Sequence, residues 1–289
     1  MDILEQLKYY NKDNIHVHCS NLIWKIENKQ NDKNFENKLD HSIEMWKLYL
    51  KYIENLESEL NKWELDFYKI TELLNTYKDK ISEINKIAKF TSQSKLEPTI
   101  LEEFVWLIFQ KDLINLCSNN IDAWNKKIYC NLYFSPTNID NFEKHTFITL
   151  NEKDQDFSIF RTVKLEDESG LITEIHVPIV SIECKTYLDK TMLEWSIATA
   201  EKIKNWNPYS RFFIVTERYW VDTSVDPAYS RIDQIYVLRK EKHSERKSKN
   251  SYEPIHADVI KQLYIDVKEH LYWNRSDIDK KIKKTWLLI

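Results

Sequence analysis

The sequence predicts a mixed α/β fold preceded by a long helical segment. Apolar residues recur at heptad spacing between His41 and Phe90, which is typical of a long helix, and segments of alternating apolar residues, typical of β-strands, follow from Phe157 onwards. The 289 residues include one glycine, whereas an average composition would give roughly twenty. Glycine-rich phosphate loops, dinucleotide-binding motifs and the nucleophile elbow of α/β-hydrolases are therefore excluded, because their backbones need several glycines.

The composition and net charge are typical of a globular protein and give no sign of a membrane-binding segment. Hydrophobic residues make up 42% of the sequence, enough for a sizeable core, and the net charge is -4. The longest apolar run, Phe104 to Phe109, is far shorter than the roughly 18 residues that span a bilayer. The N-terminus lacks the pattern of a signal peptide, and no two cysteines form a CxxC pair. We therefore expect a cytoplasmic protein with reduced thiols and no membrane contact.

Two columns of apolar residues support the long helix. All twelve positions over six heptads are apolar or aromatic: Trp46, Ile53, Leu60, Phe67, Leu74 and Ile81 in one column, and Tyr49, Leu56, Trp63, Ile70, Tyr77 and Ile84 in the other. A helix of about 45 residues would be roughly 65–70 Å long. Because bulky aromatic residues fit a two-stranded coiled coil poorly, we favour a helical arm packed against other helices over a parallel dimeric coil. We place this arm in residues 1–94 and a second domain in residues 95–289.

The second domain is predicted to combine helices with a sheet. Thr99 and Glu102 match a capping box, which would begin a helix after Pro98 that runs to about Cys117, with helical or irregular chain to about Lys144. The further elements in chain order are strands over Phe157–Leu165, Leu171–Val177 and Val177–Cys184, a helix over Asp189–Asn205, strands over Arg211–Thr216 and Ile232–Leu238, and a helix over Asp258–Tyr272. The single glycine, Gly170, lies in the turn between the first two strands, as in a β-hairpin.

The third of these strands ends in Glu183-Cys184-Lys185. Residues two apart on a strand face the same side, so Glu183 and Lys185 project together while Ile182 and Cys184 face the other way. Chance alone gives about five to six such acid-x-Lys tripeptides in this composition, so the setting must decide. A carboxylate and an ammonium at the end of an apolar strand are costly unless they pair or bind something. The alternative to a functional site is a salt bridge at a strand end.

Asp156 supplies a second carboxylate directly before the first alternating strand. An antiparallel neighbour can bring Asp156 beside Glu183, and two close carboxylates favour a divalent cation between them. Oxygen ligands with few protein donors suit Mg²⁺, which keeps waters and accepts phosphate oxygens. Lys185 would then orient or deprotonate a water, or stabilise charge on a phosphate. Asp154 is a rival ligand, and an ordinary turn residue is the alternative for Asp156.

The arrangement of Asp156, the hairpin, Glu183-Cys184-Lys185 and the following helix and strand resembles the PD-(D/E)xK nuclease superfamily. More closely, Pro98–Phe104, Lys153–Phe157 and Glu183–Met192 resemble type II restriction endonucleases of the Bpu type. The resemblance covers roughly residues 95–270. It implies a restriction-endonuclease-like mixed central sheet flanked by helices, and Mg²⁺-dependent hydrolysis of DNA phosphodiesters. It also implies Asp156 and Glu183 as metal ligands and Lys185 as the catalytic lysine. Gln155 stands where the superfamily usually has proline, which leaves the choice between Asp154 and Asp156 open.

Members of this superfamily often add a carboxylate from the preceding helix. Glu102 is already assigned to the capping box, so we predict Glu103 as this additional catalytic carboxylate. The alternative role for Glu103 is interaction with the helix dipole.

A basic segment is the predicted DNA contact. Residues 231–249 contain seven basic and three acidic side chains, a local balance of +4 in an otherwise acidic chain. Such side chains contact phosphates and, through arginine, guanine edges. We predict that the contacts are made by Arg239, Lys240, Lys242, Arg246 and Lys247. The alternative is a solvated surface loop. We reject a zinc site at His16, His18 and Cys19, because no fourth ligand follows at a matching spacing.

The sequence thus predicts a metal-dependent, sequence-specific endonuclease acting on double-stranded DNA. Cutting both strands takes two active sites, so we predict a homodimer or a heterodimer with a related subunit. The helical arm would dimerise the chains or embrace the duplex. Two alternatives are a repair or recombination nuclease that reads DNA structure, and a non-catalytic coiled-coil adaptor that only binds DNA. The intact set of Asp156, Glu183 and Lys185 favours catalysis.

Overall fold

A computed structural model describes residues 3–13, 16–28, 35–88, 95–116, 121–124, 127–134, 148–166, 172–240 and 253–272 of the chain. Five helices come first: α1 (Ile3–Tyr10), α2 (Val17–Asn28), α3 (Phe35–Leu60), α4 (Phe67–Ala88) and α5 (Leu96–Leu116). Strands dominate the rest, with β1 (Ile121–Trp124), β2 (Lys127–Phe134), β3 (Ile148–Asp154), β4 (Phe157–Glu166), β5 (Ile172–Lys185), β6 (Arg211–Thr216) and β7 (Gln234–Val237). Helix α6 (Lys190–Trp206) separates β5 from β6, and α7 (Ala257–Tyr272) follows β7.

The prediction of one long helix is wrong, because the chain turns between α3 and α4. Asp66 caps α4: its Oδ1 accepts a hydrogen bond from the Lys69 amide at 3.0 Å. Trp63, a position of the second heptad column, lies in this turn and is fully exposed at 102%. The two helices pack against each other, and α3 also contacts α2. The heptad pattern therefore marks the buried faces of a helical hairpin, and the preference for packing against other helices holds.

Helix α5 lies at the centre of the molecule. Along the run Phe104–Phe109 its apolar side chains are buried except for the partly buried Trp106, because the helix contacts α2 and α4 as well as strands β1, β4 and β5. One hydrophobic cluster therefore continues from α2, α3 and α4 through α5 into the sheet and α7. Helices α2, α3 and α4 therefore share their core with the rest of the described chain. The proposed boundary between residues 94 and 95 stays a prediction.

Five strands form a mixed sheet in the order β1-β4-β5-β6-β7. The pairs β1/β4 and β4/β5 are antiparallel, and the pairs β5/β6 and β6/β7 are parallel. The strands predicted over Leu171–Val177 and Val177–Cys184 are in fact one continuous strand, β5. Pro178 lies within it, opposite Phe160 and next to a register irregularity of β4, where a strand tolerates proline.

Three strands were not predicted: β1 and β2 lie in the segment before Lys144 that was expected to be helical or irregular, and β3 lies before Phe157, where the first predicted strand begins. Strand β1 pairs with β4 at the sheet edge. Strands β2 and β3 form a separate antiparallel hairpin. This hairpin lies against α6 and β5. Residues 135–147 lie outside the described chain.

Helices cover both faces of the sheet, which confirms the predicted fold class. On one face, Ile182, Cys184, Phe213 and Val215 join the cluster around α5 and α7. On the other, Phe212 and Ile214 pack with α6. Helix α6 begins as predicted, with the Asp189 Oδ1 accepting from the Met192 amide at 2.8 Å. Within the described residues, no helix combines the length and the apolar character needed to cross a membrane.

Candidate active site

Glu183 and Lys185 lie side by side at the carboxyl end of β5. Ile182 and Cys184 are buried in the core on the opposite face, so the strand alternates as its sequence predicted. The Nζ of Lys185 is 3.4 Å from Oε1 of Glu183. Because β5 lies between β4 and β6, its backbone is fixed from both sides and holds these two side chains in place.

Asp156 completes a cluster of three charged side chains. It directly precedes β4, whose pairing with β5 aligns Phe157 with Ile182. Its Oδ2 accepts a hydrogen bond from the Cys184 amide at 2.8 Å and lies 3.4 Å from the Nζ of Lys185. Asp154, the rival ligand, is an exposed residue at the end of β3. Of the two aspartates, the geometry therefore favours Asp156.

Lys185 is a charged residue in this arrangement. Burial opposes the ammonium form, but the carboxylates of Asp156 and Glu183 outweigh burial, and the pKa of Lys185 is raised above its usual value. Its side chain keeps 25% exposure, so it remains accessible from solvent. A protonated lysine between two carboxylates can stabilise negative charge on an incoming phosphate.

Two further side chains that were not predicted lie beside Glu183. Ser196, nearly two turns into α6, donates from Oγ to Glu183 Oε2 at 2.6 Å. Lys153 on β3 places its Nζ 3.9 Å from Glu183 Oε1. Neither carries a local sequence signal, because the contacts depend on how α6 and the β2–β3 hairpin pack on the sheet.

Glu102, and not Glu103, faces the cluster of Asp156, Glu183 and Lys185. Burial and the neighbouring charge of Asp156 raise the pKa of Glu102 to about 8, while Lys185 acts in the opposite direction. The predicted capping box does not form. Helix α5 begins at Leu96, directly after Lys95 with its positive φ of 47°, so Thr99 lies inside the helix and its Oγ1 donates to the Lys95 carbonyl at 2.9 Å. Glu102 therefore has no capping role.

The prediction for Glu103 is corrected by its contacts. Its carboxylate is buried among the N-terminal helices, where Oε2 accepts from the His18 amide at 2.8 Å and Oε1 accepts from the Tyr49 hydroxyl at 2.7 Å. Burial alone would raise the pKa of Glu103, but it is lowered, because hydrogen bonds and charge from His16, His18 and Tyr49 stabilise the carboxylate. Glu103 thus caps the start of α2 and ties α2, α3 and α5 together.

The predicted DNA contact at Arg239 is also corrected. Arg239 is buried, with Nε 2.9 Å from Oε2 of Glu217, whose Oε1 lies 2.7 Å from the Nζ of Lys78. An arginine enclosed in this way holds the fold together and is not available to DNA. Lys240 is exposed. The other three predicted contacts, Lys242, Arg246 and Lys247, lie outside the described residues.

Asp156 and Glu183 are the residues best placed to hold a divalent cation. Their oxygens converge on the Nζ of Lys185, with Glu102 coupled electrostatically to the same cluster. Oxygen donors of this kind suit Mg²⁺. Within the described part of the chain, no group of three or more His, Cys, Asp or Glu side chains is close enough to form a metal site by itself. A cation here would therefore need water or substrate oxygens to complete its coordination.

This set of side chains can perform hydrolysis at a phosphate. Two carboxylates and a lysine at the open end of a central strand can orient a water molecule and stabilise a phosphate as it gains charge. Neither neighbouring side chain of this kind is available as a nucleophile: Cys184 points into the core, where burial holds its pKa well above the usual value, and the Ser196 hydroxyl donates its hydrogen bond to Glu183. The arrangement therefore favours direct attack by water over a covalent intermediate.

Comparison with known proteins identifies the family. The model of the Bpu10I restriction endonuclease family matches residues 93–288. Among solved structures, the native BbvCI A2B2 tetramer, determined at low resolution, is similar with a TM-score of 0.66 and 21% sequence identity, covering 88% of this chain and 93% of that chain. That likeness covers a larger share of the chain than the family match does. No curated protein matches the sequence significantly. Because the family match covers most of the chain, the protein belongs to the Bpu10I restriction endonuclease family and is a type II site-specific nuclease.

Proposed function

We propose that this protein hydrolyses phosphodiester bonds in double-stranded DNA at a specific sequence, with Mg²⁺ as cofactor and the cluster of Asp156, Glu183 and Lys185 as its catalytic centre. The observation that carries the proposal is the convergence of these three side chains, with the Lys185 Nζ 3.4 Å from each carboxylate. In this reaction water attacks the phosphorus and the bond to the 3′ oxygen breaks. The products are 5′-phosphate and 3′-hydroxyl ends.

Asp156 and Glu183 would hold the Mg²⁺ ion. When bound, the ion would polarise the attacking water and neutralise charge on the phosphate. The donor set fits a hard cation, since both groups are carboxylates and Ser196 orients Glu183 through a 2.6 Å hydrogen bond. The charges of the site also fit a cation. Burial and the charge of Asp156 raise the pKa of Glu102 to about 8, which favours its protonated form, and a bound cation would offset the charge of Asp156.

Lys185 would contribute positive charge rather than act as a base. Burial opposes the ammonium form of Lys185, but the carboxylates of Asp156 and Glu183 raise its pKa and so favour that form. An ammonium within reach of the scissile phosphate stabilises the additional negative charge of the transition state. Glu102 would serve as a third carboxylate of the site, in place of the predicted Glu103.

Digestion of phage DNA tests the proposed reaction. We expect purified protein to give discrete bands with Mg²⁺ and none with EDTA, and the fragment ends to be ligated without added kinase, because they carry 5′-phosphates. A smear that EDTA abolishes would instead support a nuclease that reads DNA structure or no sequence at all. Absence of cleavage together with retained DNA binding would support the non-catalytic adaptor.

We propose further that the enzyme acts as a homodimer or as a heterodimer with a related subunit. Each chain supplies one cluster of Asp156, Glu183 and Lys185, whereas cutting both strands takes two. The similar BbvCI structure is an A2B2 tetramer, which supports an assembly of more than one subunit. Gel filtration at micromolar concentration tests this proposal. A monomeric elution volume, both with and without DNA, would contradict it.

Phosphate contacts are proposed for the exposed Lys240 and for Lys242, Arg246 and Lys247, which follow it in the sequence. The proposed cytoplasmic location fits a DNA substrate and the buried, reduced thiols of Cys19 and Cys184.

A further inference from the structure

Lys153 reaches the active site from outside the catalytic sheet. It lies on β3 of the β2–β3 hairpin, opposite Ile128, and the hairpin packs against α6 and β5. Its neighbours Glu152 and Asp154 point to the other face of the hairpin, because side chains alternate along a strand. Lys153 is therefore presented to α6 and Glu183 without an acidic neighbour on its own strand face.

The Lys153 ammonium is held in position by one strong hydrogen bond. Its Nζ donates to Oγ1 of Thr199 on α6 at 2.6 Å, and the same hydroxyl donates to the Trp195 carbonyl at 2.9 Å. Its distance to Glu183 Oε1 is 3.9 Å, which is too long for a hydrogen bond. The side chain is 44% exposed. An ammonium has three donors, so at least one N–H of Lys153 faces solvent beside the catalytic cluster.

Stability alone does not explain this placement. A half-exposed ion pair contributes at most about 1 kcal/mol, and its long distance makes this pair one of the weaker ones. Glu183 is also already bonded by Ser196 and paired with Lys185. A phosphate that approaches Glu183 and Lys185 would meet the free N–H groups of Lys153 at the edge of the same site.

We infer that Lys153 binds a DNA phosphate next to the scissile bond, so that the β2–β3 hairpin serves as a substrate-contacting element of the site. The inference rests on the proposed function, since it requires DNA at the cluster of Asp156, Glu183 and Lys185. Thr199 is a positioning residue for this contact, because it fixes the lysine head group.

The salt dependence of cleavage distinguishes this role from simple support of Glu183. Each phosphate contact that a cationic side chain makes releases a counterion, so log affinity falls as log salt rises. Loss of one such contact makes this negative slope shallower by about one unit. The experiment measures initial cleavage rates of phage DNA at limiting enzyme across a salt series. The variants are Lys153→Gln, Lys153→Arg and Thr199→Val. Lys164→Gln serves as the matched control, since Lys164 is an exposed lysine on β4 paired with Glu174.

We expect Lys153→Gln to cut more slowly than wild type, with a deficit that shrinks about three- to fourfold between about 50 and about 200 mM salt. Lys153→Arg and Lys164→Gln should retain the wild-type slope of log cleavage rate against log salt. Thr199→Val should make this slope shallower, as Lys153→Gln does. A Lys153→Gln variant that is slower by the same factor at every salt concentration would overturn the inference, because Lys153 would then only support Glu183. If wild type does not cut DNA at all, the proposed function fails and this inference fails with it.

Discussion

Glu102 and Glu103 are neighbours on α5, yet their carboxylates lie in different surroundings. Glu102 is coupled to Asp156 and Lys185, whereas Glu103 is bonded to the start of α2 and to Tyr49. Successive residues of a helix point about 100° apart, so one helix can serve the active site and the helical core at once. The two glutamates therefore offer a matched pair for separating catalysis from stability.

Glu102→Gln is expected to lower the cleavage rate roughly 10- to 100-fold, as for a group that supports a metal site. Glutamine keeps the shape of the protonated side chain but cannot ionise when a cation binds. Glu103→Gln is expected to lower the free energy of unfolding by about 2 kcal/mol, because two charge-assisted hydrogen bonds weaken. Its cleavage rate should change little at a temperature where it remains folded. Loss of cleavage in Glu103→Gln with wild-type activity in Glu102→Gln would contradict the assignment.

The sequence predicts some site residues well and others not at all, for physical reasons. Glu183 and Lys185 follow from the period of two along a strand, which is a local property. The choice of Glu103 depended on a capping box that does not form, and its true partners, His18 and Tyr49, lie 85 and 54 residues away. Lys153 and Ser196 join the site through packing between elements, so no spacing within the chain marks them.

At the level of elements, the heptad pattern identifies the buried faces of α3 and α4 but not the turn between them. Apolar spacing continues through the turn by coincidence, since Trp63 occupies a heptad position and is exposed. The turn contains neither glycine nor proline. Its one local signal is Asp66, an N-cap residue directly before α4. The three missed strands lie where the sequence alternates weakly, and two of them form a hairpin that only tertiary packing places.

Substitutions in the turn test the helical hairpin. Asp66→Ala should lower the free energy of unfolding by about 1 kcal/mol, because the amide of Lys69 loses its acceptor. Trp63→Ala should change it by less than about 0.5 kcal/mol, as expected for an exposed residue. Chemical denaturation measures both. In a continuous heptad helix Trp63 would be a core residue, and its replacement would cost about 3–5 kcal/mol.

At the scale of the whole molecule, buried charges join the helical half to the sheet. Lys78 on α4 and Arg239 after β7 both contact the carboxylate of Glu217, and all three side chains are buried. The amide of Glu217 also donates to the carbonyl of Lys185 at 3.0 Å, so the network adjoins the end of β5 that carries the proposed catalytic residues. The N-terminal helices are thus part of the framework that fixes the site.

Arg239→Met is expected to destabilise the protein by about 3–5 kcal/mol, because Glu217 loses one partner of a buried ion-pair network. Lys240, which follows Arg239 in the chain, is exposed. Lys240→Gln should therefore leave the free energy of unfolding unchanged and lower the affinity for DNA. Thermal unfolding and DNA binding of the two variants distinguish these roles. A stable Arg239→Met variant with weakened DNA binding would restore the original prediction for Arg239.

Stability is expected to fall in mild acid because of His18. Burial lowers the pKa of His18 to about 4, compared with 6.5 in the unfolded chain. The charge of Glu103 acts against this shift, and the charge of Lys78 adds to it. The unfolded chain therefore takes up the proton first, and the free energy of unfolding decreases as pH falls from 6.5 to 4, by roughly 3 kcal/mol. Denaturation curves across this range measure the effect. The profile of His18→Gln should be flatter, and an identical slope in the variant would contradict the assignment.

Replacing Lys185 is the sharpest test of whether Asp156, Glu183 and Lys185 form the catalytic centre. We would digest phage DNA in Mg²⁺ with wild type, Lys185→Ala and the control Lys190→Ala, whose lysine is exposed at the start of α6. We expect discrete bands from wild type and from Lys190→Ala. A folded Lys185→Ala variant should cleave at a rate at least about a hundredfold lower than wild type. Bands of undiminished intensity from Lys185→Ala would mean that the active site lies elsewhere.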